Sequence, residues 1–464
     1  MQPMLSLAFA GLLTPLTMAS LDDARLAEIV AQRLHGDRTG ACFAVAVVEA
    51  EVARAHVCAD GADAPRIGPL HTFEIGSIAK TMTAALLADQ MLRGEASLDD
   101  PLARHLPPGT VVPEFEGHPI RLRHMVTHTS GLPALPARMR FASMADPYAD
   151  LREDDLLASL ADVVLDAPPG THFAYSNFAG MVLSLALARH AGVDFEDLIR
   201  QRLFEPLGMD GAHVARRPES VTPAQGHLPN GMPTAAWNIP GNLAGVGGVR
   251  ASLDDMIRYA QGHLGRTDAP ITPALDLSRQ PLADSRMPMA MHWMLAPLDG
   301  RAVHLHEGGT GGFSSFLAID REQDRAVIIL SDTALTSLGG LGDLGRHLLD
   351  ARLPLGAPRR LAVPSDELLD HLVGRYELAG GLGVTLTRES DALVIQATGQ
   401  PAFKMGYDSA GDFFPLVFDA LLKPRRGVDG WTFDWMQGGA VIPATRLDAM
   451  QLRQHGAEQR GVRE

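Results

Sequence analysis

Lysine is nearly absent from this chain: of 464 residues only Lys80, Lys404 and Lys423 carry a side-chain amine, and arginine supplies almost all the positive charge. Any chemistry that needs a deprotonatable amine therefore has three candidates. Basic clusters are missing as well. The formal net charge is −15, and no basic run is longer than a pair such as Arg359-Arg360 or Arg425-Arg426. A nucleic-acid partner is excluded on that ground, because such binding rests on Lys and Arg neutralising phosphates. Aromatic residues make up only 5% of the chain, but 46% is hydrophobic and 20% charged, the composition of a globular protein rather than a disordered, collagenous or membrane-embedded one. No Gly-x-Ser-x-Gly elbow occurs, which argues against an α/β-hydrolase.

Met1 to Ser20 hold no charged residue, and the apolar stretch Met4 to Ala19, interrupted by Pro15, is too short to span a membrane. Small residues around Thr17-Met18-Ala19 suit a cleavage site. Residues 1–19 are therefore expected to be a secretory signal peptide, with export to the periplasm or medium and no membrane span once it is removed. A buried N-terminal helix is the other reading. Cys42 and Cys58 are the only cysteines, lying in two valine-rich runs, Cys42 to Val48 and Val52 to Cys58, joined by Glu49-Ala50-Glu51. A three-residue hairpin loop sets Val48 opposite Val52 and Cys42 opposite Cys58. A cross-strand disulfide is then geometrically possible, and two buried thiols remain the alternative.

Along the chain, Leu21 to His35 reads as a helix, followed by this hairpin and by Ser77 to Leu92, whose Ala, Met and Leu content suits a buried helix. Met181 to His190 and Phe195 to Leu203 are further helices. Ser252-Leu253-Asp254-Asp255 is a capping box with Ser252 as N-cap, opening a helix through Ala260. Strands return at Phe313 to Ile319 and Arg325 to Ser331, separated by a charged turn. Helix-rich sequence between early and late strands implies an α/β or α+β sandwich whose first and last strands meet. Three prolines between Leu353 and Pro364 mark a linker at 354–364. Beyond it the pattern is almost wholly β: Val384 to Thr387, Leu393 to Ala397, Phe413 to Phe418, Trp431 to Met436 and Ala440 to Leu447. The expected organisation is a large domain over 20–353, a small antiparallel β-barrel over 365–449 and a charged tail at 450–464.

The sharpest constellation is Ser77-Ile78-Ala79-Lys80 at the start of an apolar helix. Spacing of three puts Ser77 and Lys80 on one helix face. A serine hydroxyl needs a neighbouring base to become a nucleophile, and a lysine desolvated among Met and Leu side chains loses proton affinity enough to serve. Ser77 also lies where the helix N-terminus favours developing negative charge. An N-capping serine beside a snorkelling lysine is the plainer reading of the same residues. Tyr175-Ser176-Asn177 offers a phenol and an amide just before a helical stretch. His306-Glu307-Gly308-Gly309 leads into a strand, its glycines allowing close backbone approach to a ligand. In an extended segment His306 and Gly308 share one face and Glu307 points away.

Taken in order, Ser77-x-x-Lys80, Tyr175-x-Asn177 and His306-x-Gly308 resemble the three motifs of the penicillin-recognising serine hydrolases, in the branch of class C β-lactamases, D,D-carboxypeptidases, D-aminopeptidases and related esterases. Arg123 to Pro133, with its His128-Thr129-Ser130-Gly131 core, is similar to a segment recurring there. The resemblance covers roughly Leu21 to Leu353, and the β-rich tail resembles the lipocalin-like domain many of these hydrolases carry. It implies a β-lactamase-like sandwich with a helical subdomain, no cofactor and no metal, and a small-molecule or peptide-like acyl substrate. It further implies Ser77 as nucleophile, Lys80 and Tyr175 as proton-transfer groups, Asn177 as an orienter of Lys80 and of a substrate amide, and the N–H groups of Ser77 and Gly309 as an oxyanion hole. The chain departs from the β-lactamase pattern where Lys-Thr-Gly is replaced by His306-Glu307-Gly308, which removes a permanent cation and argues against strong β-lactamase activity. A catalytically silent member of the same fold, used for binding or scaffolding, is the competing expectation.

Two other readings fail for want of the residues they need. His124 and His128, or His304 and His306, have the spacing of metal ligands but lack the expected acidic or histidine neighbours. Gly245-Val246-Gly247-Gly248-Val249-Arg250 approaches a dinucleotide fingerprint but ends in Arg where Gly is needed.

Overall fold

The computed structural model describes residues 21–447 except 60–65, 141–142, 144, 283–287, 380, 417, 419, 428–429 and 438–439. The expected signal peptide at 1–19 and tail at 450–464 lie outside the described residues. Among those described, no single helix is long and apolar enough to cross a membrane.

The strand Cys42–Val48 is apolar at every position because it is covered on both sides. Cys42, Ala44, Ala46 and Val48 pack into a large helical body, while Phe43, Val45 and Val47 pack under the helices Asp23–Leu34 and Gly342–Leu349. Its hairpin partner, Val52–Cys58, runs in the expected register, with Val48 opposite Val52 and Cys42 opposite Cys58. The two cysteines form a disulfide, so the free-thiol alternative does not hold. On its other side Cys42–Val48 pairs antiparallel with Arg325–Ser331. The sheet continues through Ser314–Asp320 and Arg301–Gly309 to Met294–Leu298, six strands in all. Early and late strands thus meet at its centre, as the pattern implied.

The helical body is built around Ala79–Leu92, Asn177–Ala191 and Leu253–Leu264. In Ala79–Leu92, 11 of 14 residues are buried, so its polar members must find partners inside. Thr81 donates to the Ile78 carbonyl and meets the Tyr259 hydroxyl, and Thr83 donates to the Gly245 carbonyl. Ser252 and Asp255 close the expected capping box, and the helix runs one turn past Ala260, to Leu264, before Gly265 in the left-handed conformation ends it. The helix expected from Met181 begins at Asn177, capped by Ser176. The segment expected as one helix over Phe195 to Leu203 is α-helical only to Ile199 and continues as a π-helical turn over Arg200–Phe204.

Residues 374–446 form a closed barrel of eight antiparallel strands, the last, Ala440–Arg446, pairing with the first, Gly374–Leu378. Leu369 and Leu372, from the helix Asp366–Leu372, complete its core. Three barrel strands were not apparent in the sequence: Gly374–Leu378, Ala402–Tyr407 and Leu421–Gly427. The last contains Pro424, Arg425 and Arg426 and is exposed at its far end, so it shows no alternation to read.

Residues 354–364 form neither helix nor regular strand. Arg359 nevertheless pairs with Asp412 of the barrel at 2.6 Å. Beside it, Arg38 of the large domain pairs with Asp408 at 3.0 Å, its side chain 2% and that of Asp408 0% exposed, and its guanidinium lies 3.6 Å from the Phe414 ring centroid. This pair clamps the barrel. Replacing Asp408 by Ala strands a buried cation, and a loss of about 3–5 kcal/mol is expected, read as a lower denaturation midpoint for the whole chain. An unchanged midpoint would mean that the barrel is held elsewhere.

Candidate active site

Glu74, at the end of the short strand His71–Glu74, leads through a 3-10 turn, Gly76–Ile78, directly into Ala79–Leu92. This places Ser77, half-buried, at the helix entrance. Two glycines make the site compact. Gly76 has φ +51, and a Cβ there would lie 2.6 Å from the Gly309 nitrogen; a Cβ on Gly308 would lie 2.1 Å from the Ile75 carbonyl oxygen. The Ser77 turn and the strand Arg301–Gly309 therefore touch backbone to backbone, an approach any side chain would block.

One turn along, Lys80 is 0% exposed. Its Nζ donates to Ser77 Oγ at 2.9 Å and to the Val246 carbonyl at 2.7 Å. Burial pushes the amine down from 10.5 to about 7, and among the described residues no carboxylate is hydrogen-bonded to it to restore the charged form. Gly180 of the neighbouring helix allows this burial, since a Cβ there would come within 3.3 Å of Lys80 Cε.

The Tyr175 ring centroid lies 5.1 Å from Lys80 Nζ. Burial pushes the phenol above its ordinary range, with the nearby Ser77 hydroxyl acting the other way. Asn177 is the first residue of its helix, one turn before Gly180, and so stands on the side that faces Lys80. Among the described residues no hydrogen bond joins Asn177 to Lys80; the second acceptor of the amine is the Val246 carbonyl.

In Arg301–Gly309, His306 and Gly308 are buried and Glu307 is exposed, the alternation read from the sequence. His306 Nδ1 meets the Glu307 carbonyl at 2.7 Å, which makes that nitrogen the donor. Burial first, then Lys80, lowers His306 to about 4, the Glu307 carbonyl opposing. The imidazole is thus neutral near pH 7. Thr310 N–H bonds the Phe313 carbonyl, so by the alternation of an antiparallel ladder the Gly309 N–H points the other way, toward the Ser77 turn. The structure therefore gathers Ser77, Lys80, Tyr175, His306, Gly308 and Gly309 at one place, with Asn177 two residues on from Tyr175 at the start of its helix.

Val246 and Gly180 were not legible as site residues: the first acts through its backbone, and the second reads as any helix glycine. Tyr148 and Trp237 were missed too. Their rings meet at 5.2 Å, and Tyr148 is close enough to Tyr175 to raise its phenol further. His124, weighed as a metal ligand, instead accepts the Arg121 N–H and caps a short helix.

The family model described as Beta-lactamase matches residues 26–349. D-alanyl-D-alanine-carboxypeptidase/endopeptidase AmpH of Escherichia coli is 28% identical over 315 residues, 63% of this chain and 78% of that protein. Penicillin-binding protein 4 of Amycolatopsis lactamdurans is 28% identical over 338 residues, 67% of this chain and 85% of that one. The solved structure of an octameric penicillin-binding protein homologue from Pyrococcus abyssi, 17% identical, covers 91% of this chain and 98% of its own with a TM-score of 0.58, so the fold likeness extends beyond the family match. On the match over residues 26–349, the chain belongs to the beta-lactamase family and is a serine hydrolase of the β-lactamase and D,D-peptidase type.

Proposed function

We propose that this protein cleaves an ester or amide through an acyl-enzyme on Ser77, acting as an esterase or a D-amino acid peptidase with at most weak β-lactamase activity. The observation that carries the reading is the contact of 2.9 Å between the Ser77 hydroxyl and an amine held near neutrality. Lys80 takes the Ser77 proton as Oγ attacks the carbonyl carbon. Tyr175, whose phenol stays protonated at neutral pH, passes a proton to the departing amine or alkoxide and is reprotonated from Lys80. Water then attacks the acyl carbon, giving a proton to Lys80, which returns it to Ser77 Oγ across the same contact as the C–O bond breaks, releasing acid and free Ser77. The N–H groups of Ser77 and Gly309 hold the oxyanion, donors typically worth about 2.7–4 kcal/mol each. Asn177, at a helix N-terminus beside the amine, is assigned to the substrate amide rather than to Lys80.

The neutral His306 favours substrates without a carboxylate to be clamped, because a neutral imidazole offers no fixed positive charge. The name of the AmpH relative, a D-alanyl-D-alanine carboxypeptidase, supports peptide-like amides as one class to try. The disulfide between Cys42 and Cys58 supports an oxidising compartment, hence export.

Covalent labelling by a fluorophosphonate or labelled penicillin should be abolished by Ser77→Ala; labelling that persists overturns the nucleophile. Lys80→Arg keeps the charge but cannot deprotonate, so kcat should fall by about 10²-fold or more. In the parent enzyme, kcat/KM for a p-nitrophenyl ester should rise with pH through about 7 as Lys80 loses its proton, and a profile flat from pH 5 to 9 would count against Lys80 as the base. A neutral ester should be turned over in preference to a carboxylate-bearing β-lactam, and the opposite preference would remove the role given to His306.

A further inference from the structure

Behind Tyr175 lies a row of buried imidazoles that the acyl-transfer reading leaves unused. His128 grips three successive residues of the Tyr175 segment. Its carbonyl accepts the Ala174 N–H at 2.8 Å, its ring stacks on the Tyr175 ring with centroids 4.3 Å apart, and its Nδ1 accepts the Ser176 N–H at 3.2 Å. A backbone N–H only donates, so His128 Nδ1 is bare and the ring proton sits on Nε2. That nitrogen lies 3.3 Å from Nδ1 of His292, its one hydrogen-bond partner among the described residues. His292 Nδ1 must therefore accept, and His292 carries its own proton on Nε2.

The two bonds run in one direction and need both rings neutral. A proton added to either Nδ1 would oppose an N–H to an N–H. The surroundings enforce neutrality: both rings are 0% exposed, and burial, with Lys80 and His306 adding to it, holds both well below the ordinary imidazole range. The backbone also bends to place them. His128 has φ +54 and His292 φ +58, the left-handed region that only a few per cent of residues other than Gly adopt, His, Asn and Asp more often than the rest. Strain of this kind persists where the surroundings over-determine it, as at functional sites. The His292 N–H bonds the Val126 carbonyl at 2.7 Å, tying its segment to the one that carries His128.

We infer that His128 and His292 are positioning residues for Tyr175: His292 fixes the tautomer of His128, and His128 then templates the Tyr175 segment so that the phenol faces Ser77 and Lys80. The inference rests on the assignment of Tyr175 as the proton-transfer phenol. Neither imidazole exchanges a proton in the reaction, and the effect is on geometry.

The test uses the full chain and a p-nitrophenyl ester, with rates normalised to active sites titrated by a fluorophosphonate. His292→Gly and His292→Leu both remove the acceptor, the first tolerating the left-handed backbone and the second filling the volume. His292→Asn restores an acceptor near Nδ1 on a residue that tolerates positive φ. Both removal variants should lower kcat by about 10–100-fold, the scale of a misplaced catalytic group, with KM nearly unchanged. His292→Asn should recover most of the rate. Wild-type kcat in both removal variants overturns the inference, as does an equal loss in His292→Asn, which would mark a packing role. Tyr175→Phe, assayed alongside, separates the two claims. A fully active Tyr175→Phe sinks the assignment of Tyr175 itself, whereas a crippled Tyr175→Phe with unaffected His292 variants sinks only the positioning role.

Discussion

The site depends on one desolvated amine. Lys80 is 0% exposed and, among the described residues, hydrogen-bonded only to the Ser77 hydroxyl and the Val246 carbonyl, with no carboxylate bonded to it there. Its descent from 10.5 to about 7 means that burying it costs the fold roughly 5 kcal/mol at and below pH 7, a cost that fades as pH rises toward 10.5. Much of the surrounding architecture serves that burial. The helix that carries Lys80 is covered along most of its length, and Gly180 lets the neighbouring helix close over the lysine stem.

Around this amine the other ionisable groups are pushed away from neutrality in opposite directions. Burial lifts Tyr175 and lowers His306, His128 and His292. Phenol and imidazoles are thus all uncharged near pH 7, and Lys80 is left to titrate in the physiological range. The same environment gives His306 a meaning that its residue type leaves open. An exposed histidine would be partly cationic, whereas this one is uncharged near pH 7.

The sheet, the helical body and the barrel are held by different forces. Strands covered on both faces join the sheet to the helices through apolar contact, and the disulfide fastens the open end of the edge hairpin. The barrel has its own core, and buried Arg–Asp pairs involving Arg38, Arg359, Asp408 and Asp412 meet where it touches the large domain. Apolar packing sets each body, and directional charge pairs fix where this surface seats.

Local pattern was enough for much of this. The hairpin register followed from a loop of three residues, the capping box at Ser252 from its spacing, and the nearness of Ser77 and Lys80 from the pitch of a helix. Barrel strands such as Leu421–Gly427 stayed hidden because proline and arginine erased their alternation. What no local pattern holds is the meeting of segments some 160 to 230 positions apart. The Val246 carbonyl on Lys80, the backbone contact of Gly76 with Gly309 and the pairing of His128 with His292 are set by how sheet and helices pack. The sequence by itself determined which groups could react. Only the tertiary structure decided their charge, because proton affinity depends on how completely distant segments exclude water from each group.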